Sequence, residues 1–240
     1  MFKSLKSKTE KYKQGNVYQL VYLILISIVI IYFWNHIVLY PFKMLIVFFH
    51  EASHALATIL TGGKVQELVV VSGQGGYVIS QGGSRFIILN SGYLGSLIWG
   101  TSIYSLSIRF KIGKFLMFIL GIVIGLITLF FIRNLFALLF GILFTVLMIL
   151  SAIYIPSGFN NFILRLIGLI SMAYVPLDIL TDTIYNYRLK SDAQMLADEF
   201  GGTTMMWGGL WLLMSLLFII FTIVRSFNIK KSRDKIIGNP

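Results

Sequence analysis

Seven apolar blocks of near bilayer-spanning length decide what this chain can fold into. They run Val17–Leu39, Pro41–Leu60, Phe86–Ile108, Phe115–Ile132, Leu135–Ile155, Phe162–Ile184 and Thr203–Val224. About 20 apolar residues cross the hydrocarbon of a bilayer as a helix, and helices satisfy their own backbone groups there. Hydrophobic residues make up 57% of the 240 and charged residues 12%, against roughly 25% charged in soluble domains. The expected fold is an all-α polytopic membrane protein with about 6–7 membrane segments, a multi-pass protein of the cell membrane.

The net charge of +11 sits mainly at the ends. Lys3, Lys6, Lys8, Lys11 and Lys13 precede the first block, and Arg225, Lys230, Lys231, Arg233 and Lys235 follow the last. Basic flanks of apolar spans mark cytoplasmic ends near anionic lipid, so the charge implies a bilayer partner and no nucleic acid. Residues 1–16 and 225–240 read as basic cytoplasmic tails around one integral-membrane domain, 17–224. Two cytoplasmic ends require an even number of crossings, so either one of the seven blocks does not span, as a re-entrant or half-inserted segment would not, or the charge rule fails at one end. The run Val17 to Tyr40 is too long for a cleavable signal, and no small-residue cleavage site follows it.

One stretch departs from helix. Lys64 to Ser80 places two β-branched runs around a Gly-rich turn at Gly73–Gly76, which predicts a small β-hairpin.

Chemistry concentrates just before it, at His50-Glu51-Ala52-Ser53-His54 inside the second block. On a helix His50 and His54 share a face and can reach one metal ion, while Glu51 can take a proton from a metal-activated water. With no cysteine in the chain, a transition-metal site must be built from His and carboxylate. His36, beside Trp34 and Tyr40 at the end of the first block, reads as an interfacial side chain. Glu10 and Asp234 lie in the tails, Glu67 in the hairpin, and Asp192, Asp198 and Glu199 in the polar connection before the last block. Asp178 and Asp182 follow an apolar run one turn apart, where a carboxylate at membrane depth needs a partner. Asp178 is the expected third ligand, with Asp182 as support for a histidine or as the alternative ligand.

A His-Glu-x-x-His helix, a Gly-rich hairpin and a distant Asp on a later membrane helix resemble the site-2 proteases, the intramembrane zinc metalloproteases. The closer similarity is to a compact bacterial branch without an appended regulatory domain. It covers His50 to Gly63 with Thr61-Gly62-Gly63, Gly82-Gly83-Ser84-Arg85, Ser91-Gly92-Tyr93-Leu94-Gly95, and the late stretch with Asp178, Asp182, Ser191-Asp192-Ala193 and Trp207…Trp211. Outside roughly Leu45–Ser96 and Asp178–Trp211 the likeness is one of hydrophobicity alone. The family's Leu-Asp-Gly is here Leu177-Asp178-Ile179, and its Gly-Pro-x-x-Asn is Gly92-Tyr93-Leu94-Gly95-Ser96, leaving that Asn's contacts to Ser96 or Asn90.

The resemblance implies one Zn²⁺ per chain, held by His50, His54 and Asp178, with Glu51 as general base. It also implies hydrolysis of a peptide bond in or near a transmembrane segment of a membrane-protein substrate. The hairpin, through Val70 and Tyr77, can accept an unwound segment as an added strand. Without a soluble domain, selectivity falls to the membrane helices, the hairpin, a regulatory membrane partner or a homo-oligomer. Two other readings compete: a non-catalytic scaffold of the same fold, and an ion or proton transporter using the same acids. The base Glu51 speaks against the first, and the absence of internal repeats against the second.

Overall fold

The computed structural model describes residues 25–110, 112–185 and 191–237. The basic tail 1–16, the start of the first apolar block, and Lys111 lie outside the described residues. Helix α1, of which residues 25–32 are described, leads through a 3-10 turn, Ile37–Leu39, into α2, Tyr40–Leu60. A hairpin follows, β1 Lys64–Val71 and β2 Gly75–Gln81, and then α3 Arg85–Arg109, α4 Gly113–Phe131, α5 Leu135–Tyr154 and α6 Ser157–Leu180. A π-helical turn, Thr181–Tyr185, a short α7, Asp192–Phe200, and a long α8, Thr204–Ile237, complete the order. Among the described residues 6 helices are long and apolar enough to cross a membrane, so the protein is a multi-pass membrane protein with one small antiparallel hairpin. The first apolar block breaks at residues 33–36, ahead of the 3-10 turn, so the described helix there is shorter than the block.

Helix α2 is the interior of the bundle: 78% of its spanning window is buried, against 33% for α4 and 28% for α5. Pro41 stands at its first turn, where a missing N–H costs nothing. Helix α3 packs on α2 and α6, and small residues set how close it comes. A Cβ on Gly100 would lie 2.7 Å from Ser171 Cβ, and one on Gly168 2.7 Å from Tyr104 Cβ. Ser171 Oγ donates to the Ser96 carbonyl at 2.9 Å across this seam. Between membrane helices, where lipid competes equally for apolar surface, such close backbone approach supplies the attraction. Helices α4 and α5 form a second pair along Gly121, Gly125 and Gly141, each against a threonine or its neighbours.

The hairpin is tied to the bundle at its feet. Gly62, Gly82 and Gly83 adopt φ of 84°, 72° and 79°, which L side chains rarely do, and Thr61 Oγ1 accepts from Ser84 N at 2.9 Å. The turn falls at 72–74, one residue ahead of the predicted Gly73–Gly76, with Gln74 taking the left-handed position at φ 64°. Three-residue hairpin loops end in such a residue, and here the site falls on Gln rather than Gly. The outer edge of β1 is closed by the α4–α5 connection, through a bridge between Leu68 and Ile132 and a bond from Asn134 Nδ2 to the Val70 carbonyl at 2.8 Å.

Candidate metal centre

Two elements bring donors to one point. From α2, His50 Nε2 and His54 Nε2 lie 3.1 Å apart, as residues one turn apart on a helix should. From the N-terminus of α7, Asp192 Oδ2 lies 3.1 Å from each of them. His54 Nδ1 is 2.7 Å from the Ile88 carbonyl, which can only accept, so Nδ1 carries the proton and Nε2 turns its lone pair to the cluster. Asp192 only accepts as well. Three donor atoms at mutual distances of 3.1 Å exceed what one imidazole proton can satisfy, and their spacing approaches the edge of about 3.3 Å in a tetrahedral shell with zinc–ligand bonds of about 2.0–2.1 Å. The donor set, two imidazoles and a carboxylate, suits zinc, and the carbonyl behind His54 is the outer contact that orients such a ligand.

The local sequence explains why Asp192 arrives there. Ser191 caps α7, its Oγ accepting from Gln194 N at 3.3 Å, and Asp192 is the first helical residue, where the helix dipole favours an anion. Burial opposes charge on Asp192, but His54 and His50 facing it hold its carboxyl below the usual carboxylate range.

Glu51 is 4% exposed and its Oε2 has no hydrogen-bond partner among the described residues. It lies against the hairpin: a Cβ on Gly76 would come within 2.7 Å of Glu51 Cγ and Oε1. Helix α3 closes the other side, where a Cβ on Gly92 would strike both His50 Nε2 and His54 Nε2. Beside it Tyr93 sets its ring edge-on to His50, with centroids 4.9 Å apart, and donates its hydroxyl to Asp182. A cavity of about 340 Å³ collects these groups, lined by His50, Glu51, His54, Asp178, Asp182 and Asp192 together with Gln74 to Val78 and Ser80 of the hairpin.

The residues expected from the sequence therefore divide. His50, Glu51 and His54 face one cavity with Asp178 and Asp182, but the group whose donor atoms converge is His50, His54 and Asp192. Asp178 and Asp182 stand outside that group, on α6 and the π-helical turn. Tyr77, half exposed on β2, lines the cavity, whereas Val70 is fully buried on β1 with its carbonyl taken by Asn134. Asn90 and Ser96 lie on α3 but do not line this cavity. Asn90 accepts from Trp211 Nε1 at 2.9 Å, and Ser96 is buried with its Oγ unpartnered. Gly92, Tyr93 and Asp192 are the additions. Their signals were a glycine inside an apolar helix and the Ser-Asp-Ala-Gln helix start at Ser191.

A family model described as Peptidase M50B-like matches residues 23–222. Comparison with curated proteins and with solved structures gives no match.

Proposed function

The chain belongs to the M50B-like peptidases of the site-2 protease family, and on that premise we propose that it is a zinc-dependent intramembrane endopeptidase acting on membrane-protein substrates. The observation that carries the proposal is the meeting of His50 Nε2, His54 Nε2 and Asp192 Oδ2 at 3.1 Å beside a buried Glu51 oxygen with no partner. We assign the three as the ligands of one zinc ion. Asp178, expected from the sequence as the third ligand, and Asp182 are assigned to the cavity wall, where Asp182 holds Tyr93 against His50.

A zinc ion held by His50, His54 and Asp192 would supply the Lewis acidity that activates a water and polarises a scissile carbonyl. Glu51 takes the proton of the attacking water on Oε2 and returns it to the leaving amine. A scaffold would gain nothing from a carboxylate buried without a partner, because such a group costs stability unless chemistry uses it. The same cost weighs against the non-catalytic reading.

The hairpin offers the substrate a backbone. With the β1 edge covered, the other edge belongs to β2, whose residues line the cavity. An unwound transmembrane segment laid along β2 would have its amide groups satisfied beside Glu51. The basic flanks support cytoplasmic ends for the chain.

The test is zinc content of detergent-purified protein together with cleavage of a hydrophobic transmembrane-peptide library. One zinc per chain and cleavage are expected in the wild type, with zinc lost in Asp192→Ala and retained in Asp178→Ala. Wild-type protein that takes up no zinc after reloading would refute the proposal. Loss of zinc in Asp178→Ala alone would return the third ligand to α6.

A further inference from the structure

Helix α7 delivers Asp192 yet is not one of the membrane-crossing helices. It is 9 residues long, packs on α3 and α8, and buries only Ala193 and Leu196. On its far side the chain turns through Gly201 and Gly202 at φ 83° and 85° before α8 begins, so α7 is not held by helix continuity. Two contacts tie its far end to the first turn of α3: the Phe200 ring stands edge-on to Phe86, with centroids 5.3 Å apart, and an ion pair lies beside it. Arg85 Nη2 lies 2.7 Å from Glu199 Oε1 and Nε lies 3.2 Å from Oε2, a fork on both carboxylate oxygens, and Nη2 reaches Met195 Sδ at 3.8 Å.

The placement of both charges is unfavourable within their own helices. Arg85 is the first residue of α3, where the helix dipole disfavours a cation. Glu199 is in the last turn of α7, where it disfavours an anion. Neither charge stabilises the helix that carries it, yet the two meet in a bidentate pair. Bidentate guanidinium–carboxylate pairs are the directional kind of ion pair and fix orientation as well as distance.

We infer that Arg85 and Glu199 are positioning residues that latch α7 onto the first turn of α3 and so hold Asp192 opposite His50 and His54. Affinity for zinc at the cluster is thereby set in part by a pair that touches no ligand atom. This rests on Asp192 being the third ligand. The latch also has a diagnostic sign. Arg85 lines the same cavity as the cluster, so replacing it by an anion would, through charge alone, strengthen binding of a divalent cation. Loss of the latch weakens it.

The experiment is a zinc competition titration against a chromophoric chelator on the full chain in detergent. Wild type, Arg85→Glu, Glu199→Arg, the double swap, Arg85→Gln and Asp192→Ala are compared, with thermal melting of the zinc-free proteins as a control on folding. Arg85→Glu is expected to weaken zinc binding about two- to fivefold, Arg85→Gln to weaken it less, and the double swap to recover most of the loss. If Arg85→Glu leaves binding unchanged or tightens it while Asp192→Ala abolishes it, the latch is overturned and the ligand assignment stands. If Asp192→Ala binds zinc as the wild type does, the ligand assignment falls and the latch with it. If Arg85→Glu does not fold, Arg85→Gln decides: binding equal to wild type overturns the latch.

Discussion

Gly92→Ala tests the centre with a single methyl group. On α3 the added Cβ would occupy space held by His50 Nε2 and His54 Nε2, and would stand 2.6 Å from His50 Cε1. Helix α3 has little room to shift, because over the turns that follow it is packed closely against α6 by the Gly100–Ser171 and Gly168–Tyr104 contacts. The rings must turn, and turning them breaks their alignment with Asp192. Forcing extra volume into a packed site costs about 1–3 kcal/mol. If that cost falls on the zinc-competent arrangement, affinity drops by about 5- to 150-fold. Zinc competition titration reads the drop directly. Gly209→Ala on α8, where an added Cβ meets nothing within 4 Å, serves as the matched control and should bind zinc as the wild type does. Gly92→Ala with wild-type zinc affinity would refute the packing of α3 on the imidazoles, and with it the geometry assigned to the centre.

Other perturbations separate the parts of the site. Glu51→Gln should retain zinc and lose about 10²- to 10⁴-fold in peptide cleavage, the usual contribution of a general base; retained cleavage would remove Glu51 from the chemistry. Gly76→Ala places a Cβ 2.7 Å from Glu51 Oε1, so cleavage should fall while zinc content holds, and loss of zinc instead would mean that the hairpin supports the ligands themselves. Asn134→Ala leaves the Val70 carbonyl, on a fully buried residue, without its amide donor and should cost about 1–3 kcal/mol in thermal stability, with no loss of zinc; an unchanged melting temperature would show that water or backbone replaces the amide.

Much of this was legible in the chain. Apolar length located α2, and the i, i+4 spacing of His50 and His54 translated directly into facing nitrogens because helix geometry is local. Hydrophobic length located α3, α4, α5 and α6, and β-branched runs located the hairpin, its turn displaced because Gln74 adopted the left-handed conformation expected of glycine. The third donor was not legible in the same way. Asp192 is 142 residues from His50, and nothing local distinguishes a carboxylate aimed at a distant histidine from one facing water. Hydropathy drew attention to Asp178 and Asp182 because they adjoin an apolar run. The short helix that carries Asp192 announces itself only through the Ser191 cap and the pair Ala193 and Leu196. Asn90 and Ser96 were singled out by their place in a motif. Rotation of α3 points Gly92 and Tyr93 at the histidines instead, and that rotation is set by the small-residue seam with α6.

The exposure of α4 and α5 bears on how a chain of this kind can drift. Most of their surface faces outward, so exchange among leucine, isoleucine, valine and phenylalanine there changes neither a packed neighbour nor the cavity. What selection can register between residues 113 and 154 is a seam of glycine and threonine, a buried row with Met117, Leu120, Ile124 and Met148, and the connection that seals β1. Relatives that share the chemistry are therefore free to diverge on the outward side of this stretch while keeping its oiliness. The motifs quoted from the sequence lie before and after this stretch, while the family model runs through it, across 23–222. In such a protein the helices that touch the cavity are held to particular residues, and the faces that touch lipid are held only to a composition.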